Sequence, residues 1–190
     1  MNRDEAYIFL NSQIKNPNLI KHHLAAEASM RGLARYFKSK GLDYVNEDTW
    51  GLVGLLHDAD YEETREHPEK HTLVLEEKLK DKVSPEIMYA IKCHNLHNIK
   101  ILPKSIMDWS IYCCDELTGL IIASALIHPD KKLNFITTDF VLNRFNENSF
   151  AKGANREQIK ACEEKLGIPL KEFIELNLKA IQLIASDLEL

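Results

Sequence analysis

Helix breakers are scarce in this chain and punctuate it at intervals. Its 190 residues include 7 glycines and 6 prolines, which read as junctions between periodic segments rather than interruptions within them. No stretch alternates apolar and polar residues between hairpin turns. A chain of this kind has helices to pack and nothing from which to build a sheet, so the expected fold class is all-α. No repeat, low-complexity tract or linker-like shift divides it, and 190 residues suffice for one domain with a real core. The expectation is a single-domain bundle of about eight helices spanning 1–190.

The segments follow from their punctuation. Asp4 and Glu5 favour the positive end of a first helix, which Asn16-Pro17-Asn18 breaks. A long second helix runs to about Lys40, with Gly41 as its C-terminal cap. Asn46, Glu47 and Asp48 start a third, which ends at His57-Asp58. Pro68 suits the first position of a fourth helix carrying His71. Ser84-Pro85 opens a fifth, whose apolar stripe Ile87, Ala90, Ile91 continues to His94. Asn95 to Pro103 reads as loop. A long helix from Ser105 to Ile127 follows, then three shorter ones broken near Gly153 and Gly167.

Polar residues on these apolar faces are the candidates for chemistry. His22 shares a helical face with Ala25, Ala26 and Ser29, small residues that let another element come close; His23 competes with it. Leu55-Leu56 run straight into His57-Asp58, two good ligands for a divalent transition metal. Asp115 stands on an otherwise apolar face, where a carboxylate needs a partner. Gly119, one turn on, weakens its helix by ~1 kcal/mol relative to alanine, as close approach of another group would explain.

In chain order these residues are His22, His57-Asp58, His71, His94 and Asp115. That order, in the contexts Lys21-His22-His23-Leu24, Gly54-Leu55-Leu56-His57-Asp58, Lys70-His71-Thr72, Cys93-His94-Asn95 and Cys114-Asp115-Glu116, resembles the HD superfamily of metal-dependent phosphohydrolases. The resemblance covers about residues 18–128, a metal-site core, and leaves about 129–190 as a helical extension. It implies that His22, His57, Asp58 and Asp115 hold one metal. It also implies that His71 and His94 complete a second site, bridged by Asp58, with Asp58 and Asp115 central to catalysis. Four imidazoles and two carboxylates suit one or two ions of iron, manganese, cobalt, nickel or zinc.

The implied activity is hydrolysis of a phosphate ester or anhydride of a small, nucleotide-like substrate by a metal-activated water. The same ligand set also resembles di-iron oxygenases of the superfamily, and a non-catalytic metal module is a third reading. Lys131, Lys132, Arg144 and Arg156, with Lys152, form a loose basic group that suits a phosphate or a solvated surface. Asp60, Glu62 and Glu63 read most simply as a polar connection; the alternative is a general acid or a partner to a ligand histidine.

A formal charge of −5 with mixed signs offers no clustered basic face for long nucleic acid. No apolar run is read as reaching the ~18 residues a membrane span needs, and the acidic start lacks a signal-peptide core. Cys93, Cys113, Cys114 and Cys162 contain no Cys-x-x-Cys pair, so a reducing cytoplasmic setting is expected. Oligomeric state is left open.

Overall fold

A computed structural model describes residues 1–190, and it is entirely helical. In chain order the helices are α1 (Arg3–Gln13), α2 (Pro17–Ser39), α3 (Glu47–Leu56), α4 (Tyr61–Thr64), α5 (Leu73–Leu79) and α6 (Pro85–His94). They continue as α7 (Leu96–Ile99), α8 (Ile106–Ile127), α9 (Thr138–Phe145), α10 (Arg156–Leu166) and α11 (Leu170–Gln182). The starts are set by side chains that take up orphan backbone N–H groups. Asn2 with Glu5, and Ser105 with Asp108, form reciprocal capping boxes at α1 and α8. Asn16, Asn46, Thr137 and Asn155 cap α2, α3, α9 and α10.

Helix α8 is the hub and packs against α2, α3, α6, α9, α10 and α11. Met107, Ile111, Leu117, Leu120 and Ile121 along it are essentially fully buried. This helix corrects the expectation about apolar runs. It is long and apolar enough to cross a membrane by length and composition, but 61% of its apolar window is buried within the molecule. Asp115 and Glu116 interrupt the sequence without interrupting the helix, because they occupy only its site-facing side.

Two other expectations need correction. Glycines are not confined to junctions: Gly32 and Gly54 lie inside helices at places where other helices press close. A Cβ on Gly54 would stand 2.4 Å from the Ala26 carbonyl oxygen, and one on Gly32 would stand 2.8 Å from the Ala180 Cβ. The Gly54 contact lets the end of α3, and therefore His57, approach α2 at backbone distance.

The fourth helix does not begin at Pro68. Residues 67–72 form successive turns, Thr72 takes a left-handed φ of 70°, and α5 starts only at Leu73. Asp60 imposes this: its Oδ2 accepts from the backbone N–H of Thr72 and of Leu75, fixing the helix start from outside the segment. His71 is therefore on a turn, not a helix. The Asn95–Pro103 segment likewise contains one helical turn, α7.

Candidate metal centre

The residues singled out in the sequence arrive at one place from five segments. His22 comes from the first turns of α2, His57 and Asp58 from the chain leaving α3, and His71 from the turn before α5. His94 is the last residue of α6, and Asp115 lies mid-way along α8. They form two adjoining sets. In one, His22 Nε2 is 3.2 Å from His57 Nε2 and 3.1 Å from Asp115 Oδ1, with Asp58 Oδ2 at 3.9 Å. In the other, His71 Nε2 and His94 Nε2 are 3.0 Å apart, and each is 3.0 Å from Asp58 Oδ1. Asp58 turns one oxygen to each set.

The opposite ring nitrogens determine what those Nε2 atoms are. His57 Nδ1 lies 2.8 Å from the Gly54 carbonyl oxygen, and His94 Nδ1 bonds the Ile91 carbonyl. His71 Nδ1 is 2.8 Å from Asp60 Oδ1 and 3.3 Å from the Thr64 hydroxyl, whose own hydrogen goes to the Asp60 carbonyl. His22 Nδ1 is 3.2 Å from the Thr118 hydroxyl, whose hydrogen goes to the Asp115 carbonyl. Every one of these neighbours accepts, so each Nδ1 carries the proton. In the neutral rings each Nε2 then presents a lone pair, and the lone pairs converge on one another and on carboxylate oxygens.

Convergent acceptors are costly to hold at low solvent exposure unless a cation offsets them. The spacing fits one. Ligand atoms bonded at about 2.1 Å and at right angles stand about 3.0 Å apart, and about 3.4 Å apart in a tetrahedron. The closest contacts within each set fall in that interval. The buried His/Asp groups thus have the composition and spacing to hold a metal ion.

The electrostatics point the same way. Burial drives His57 toward its neutral form, but the Asp58 and Asp115 charges outweigh it and raise its pKa from 6.5 to about 9. Burial of His71 is likewise outweighed, here by hydrogen bonds to Asp58 and Asp60, and its pKa rises to about 10. Burial pushes the Asp58 and Asp115 carboxyls up; the neighbouring histidines, His57 foremost, pull them down further, so both lie well below the usual range. Cation and proton therefore compete for the same lone pairs.

Because His57 and His71 hold protons more tightly folded than unfolded, their ion pairs stabilise chelator-treated protein fully below about pH 6.5. That stabilisation fades as pH rises through 9 and 10. Urea melts in chelator should show the midpoint falling across that window, and a flat or rising midpoint would contradict the assignment.

The remaining candidates separate clearly. His23 is fully buried; its Nδ1 donates to the Leu55 carbonyl, so it fastens α2 to α3 while His22 enters the cluster. Glu62 accepts from the backbone of Lys15 and Asn16, and Glu63 pairs with Lys78. Asp60 is more than the polar connection its sequence context suggests. Its side chain is fully buried, and it both orients His71 and starts α5.

The basic group does not converge on the centre. Lys131 and Lys132 are exposed, and Arg144 pairs with Glu147. Arg156 gives its guanidinium to the carbonyls of Phe145, Phe150, Ala151 and Ala154. Its donors are thus spent on holding a loop. That loop matters, because Ala151, Gly153 and Ala154 with His22, Asp115, Glu116 and Gly119 line a cavity of about 380 Å³ at the cluster. Glu116 accepts from the Asn155 N–H at 3.0 Å; burial, then the Asp115 charge, raises its pKa to about 7.

The cluster is one that could bind metal, and it is loosely compatible with an HD-type site. No family model matches the chain, and neither a curated protein nor a solved structure matches it.

Proposed function

We propose that this protein is an HD-superfamily phosphohydrolase that binds two divalent transition metals and cleaves a phosphate ester or anhydride of a small substrate. The observation that carries this reading is the pair of adjoining lone-pair clusters sharing Asp58. Divalent cations held there by His22, His57, Asp58, His71, His94 and Asp115 would supply Lewis acidity toward phosphoryl oxygens and lower the pKa of water toward neutrality.

The chain's own residues divide the remaining work. Asp58 and Asp115 bring the negative charge that retains two cations, and the four histidines add no charge of their own. The Nδ1 partners hold each ring in the ligating tautomer, so little reorganisation is needed when metal enters. His57 is wholly buried, while His22, Asp58 and Asp115 keep side-chain exposures of 22%, 16% and 17%, so the centre opens on the His22 side. That side carries the cavity of about 380 Å³, a size suited to a small molecule.

The test is phosphate release from a panel of nucleotides, sugar phosphates and aryl phosphates by protein loaded with manganese, cobalt, nickel or iron. Turnover of at least one class, abolished by chelator and restored by metal, is expected. Iron-dependent oxygen uptake without phosphate release would replace this reading with the oxygenase one, for which the same ligands serve.

A further inference from the structure

The cavity at the cluster adjoins a second of about 320 Å³, and the two share His22 and Gly119. Their walls differ. Beyond Gly119 the second cavity runs over Ile122, Leu126 and Leu188, with Lys21 at its rim paired to Glu189. Leu126 is 51% exposed, an apolar side chain left in water on the cavity side of α8, next to Ile127, which is 49% exposed at the same helix end.

Gly119 sits where the cavities meet, and the close neighbour expected beside it is not there: nothing in the protein requires it to be glycine. It lies in mid-helix with ordinary helical backbone, and a Cβ there would meet no atom within 4 Å. Gly32, Gly51 and Gly54 are held by close neighbours, and Gly41 and Gly167 by positive φ; Gly153 is also free of close neighbours, but it lies in a loop, where glycine costs no helix stability. Gly119 gives up helix stability without a packing return. What it preserves is the open passage between the metal cluster and the apolar trough.

We propose that this trough is a specificity subsite: it seats an apolar portion of the substrate's leaving group, which crosses α8 over Gly119 while the phosphoryl group lies beside His22. The preferred substrate class is then a phosphate ester or anhydride carrying an apolar or aromatic substituent. The phosphoryl half of the statement rests on the hydrolase reading; the trough itself can be tested without turnover.

The experiment is calorimetric titration of manganese-loaded protein with methylphosphonate and with 2-naphthylmethylphosphonate, neither of which is hydrolysed. The naphthyl compound is expected to bind at least about tenfold tighter, as burial of one ring system implies. Gly119→Leu should erase that preference with metal content unchanged. Gly119→Ala should raise Tm by about 2–4 °C, showing that the position tolerates a side chain. Leu126→Asp, at an exposed position, should weaken the naphthyl compound alone.

Equal affinity for the two phosphonates, binding of neither, or a preference intact in both Gly119→Leu and Leu126→Asp overturns the proposal. Naphthyl preference in a protein that hydrolyses no phosphate ester removes the hydrolase reading and leaves the trough. Hydrolysis without the preference does the reverse.

Discussion

Asp58→Ala is expected to empty the His71–His94 half of the centre, to weaken the other half, and to lower metal-dependent turnover by at least about a thousandfold. Each lone-pair set contains two histidines and one Asp58 oxygen, and no other side chain belongs to both. Removing it leaves His71 and His94 as two neutral rings with no anion, too weak a set to retain a hydrated divalent ion. The other set keeps Asp115 and two rings, with its charge halved. Secondary structure should persist, because the Asp58 carboxylate caps no helix and contacts only the cluster histidines. Asp58→Asn sharpens the test. Its amide offers one acceptor and one donor, so it can serve one set while pointing N–H groups at the other. About half the metal of the wild type is the most it should retain. Metal analysis beside circular dichroism reads both variants, and a folded Asp58→Ala protein with full metal would refute the bridging role.

Asp60→Ala is expected to cost about 3–5 kcal/mol of folding stability and to weaken metal binding at the His71 half by about 10- to 100-fold. Two effects add. The buried N–H groups of Thr72 and Leu75 lose their acceptor, and each unsatisfied donor costs about 1–3 kcal/mol. The His71 ring loses the carboxylate 2.8 Å from Nδ1 that keeps its proton on the outer nitrogen. Asp60→Asn separates them. Its oxygen can still accept from Thr72 and Leu75, while its amide donors face His71 Nδ1 and favour the tautomer with the proton on Nε2. Most of the stability should return and most of the metal affinity should not. Denaturant melts with metal titrations on both variants decide this; stability and affinity recovering together in Asp60→Asn would show no tautomer control.

The helical class was legible because the signals were local. Ser84-Pro85, Asn46 and Ser105 cap helices where the sequence places them, and no strand competes. The cluster was legible as residue types in a given order, since imidazoles and carboxylates on apolar faces need partners wherever the chain takes them. What stayed hidden was set by tertiary contact. Pro68 signals a helix start correctly in isolation, yet Asp60 reaches across to begin α5 at Leu73 and leaves His71 on a turn.

Arg156, near other cations, suits a phosphate or a solvated surface equally; only the fold shows four carbonyls taking up its donors. The helix from Ser105 to Ile127 was legible, but its apolar run read as too short to span a membrane because charge was counted along the sequence and not around the helix. Gly54 gave no sequence signal of the backbone 2.4 Å from its missing Cβ, although that approach helps bring His57 to His22.

The centre itself is tested most directly by anomalous scattering from crystals of manganese- or iron-loaded protein, collected on either side of the metal edge. Two peaks are expected, one among His22, His57 and Asp115 and one between His71 and His94, with Asp58 between them. Absence of any peak at these side chains, or metal bound only elsewhere on the molecule, would contradict the account.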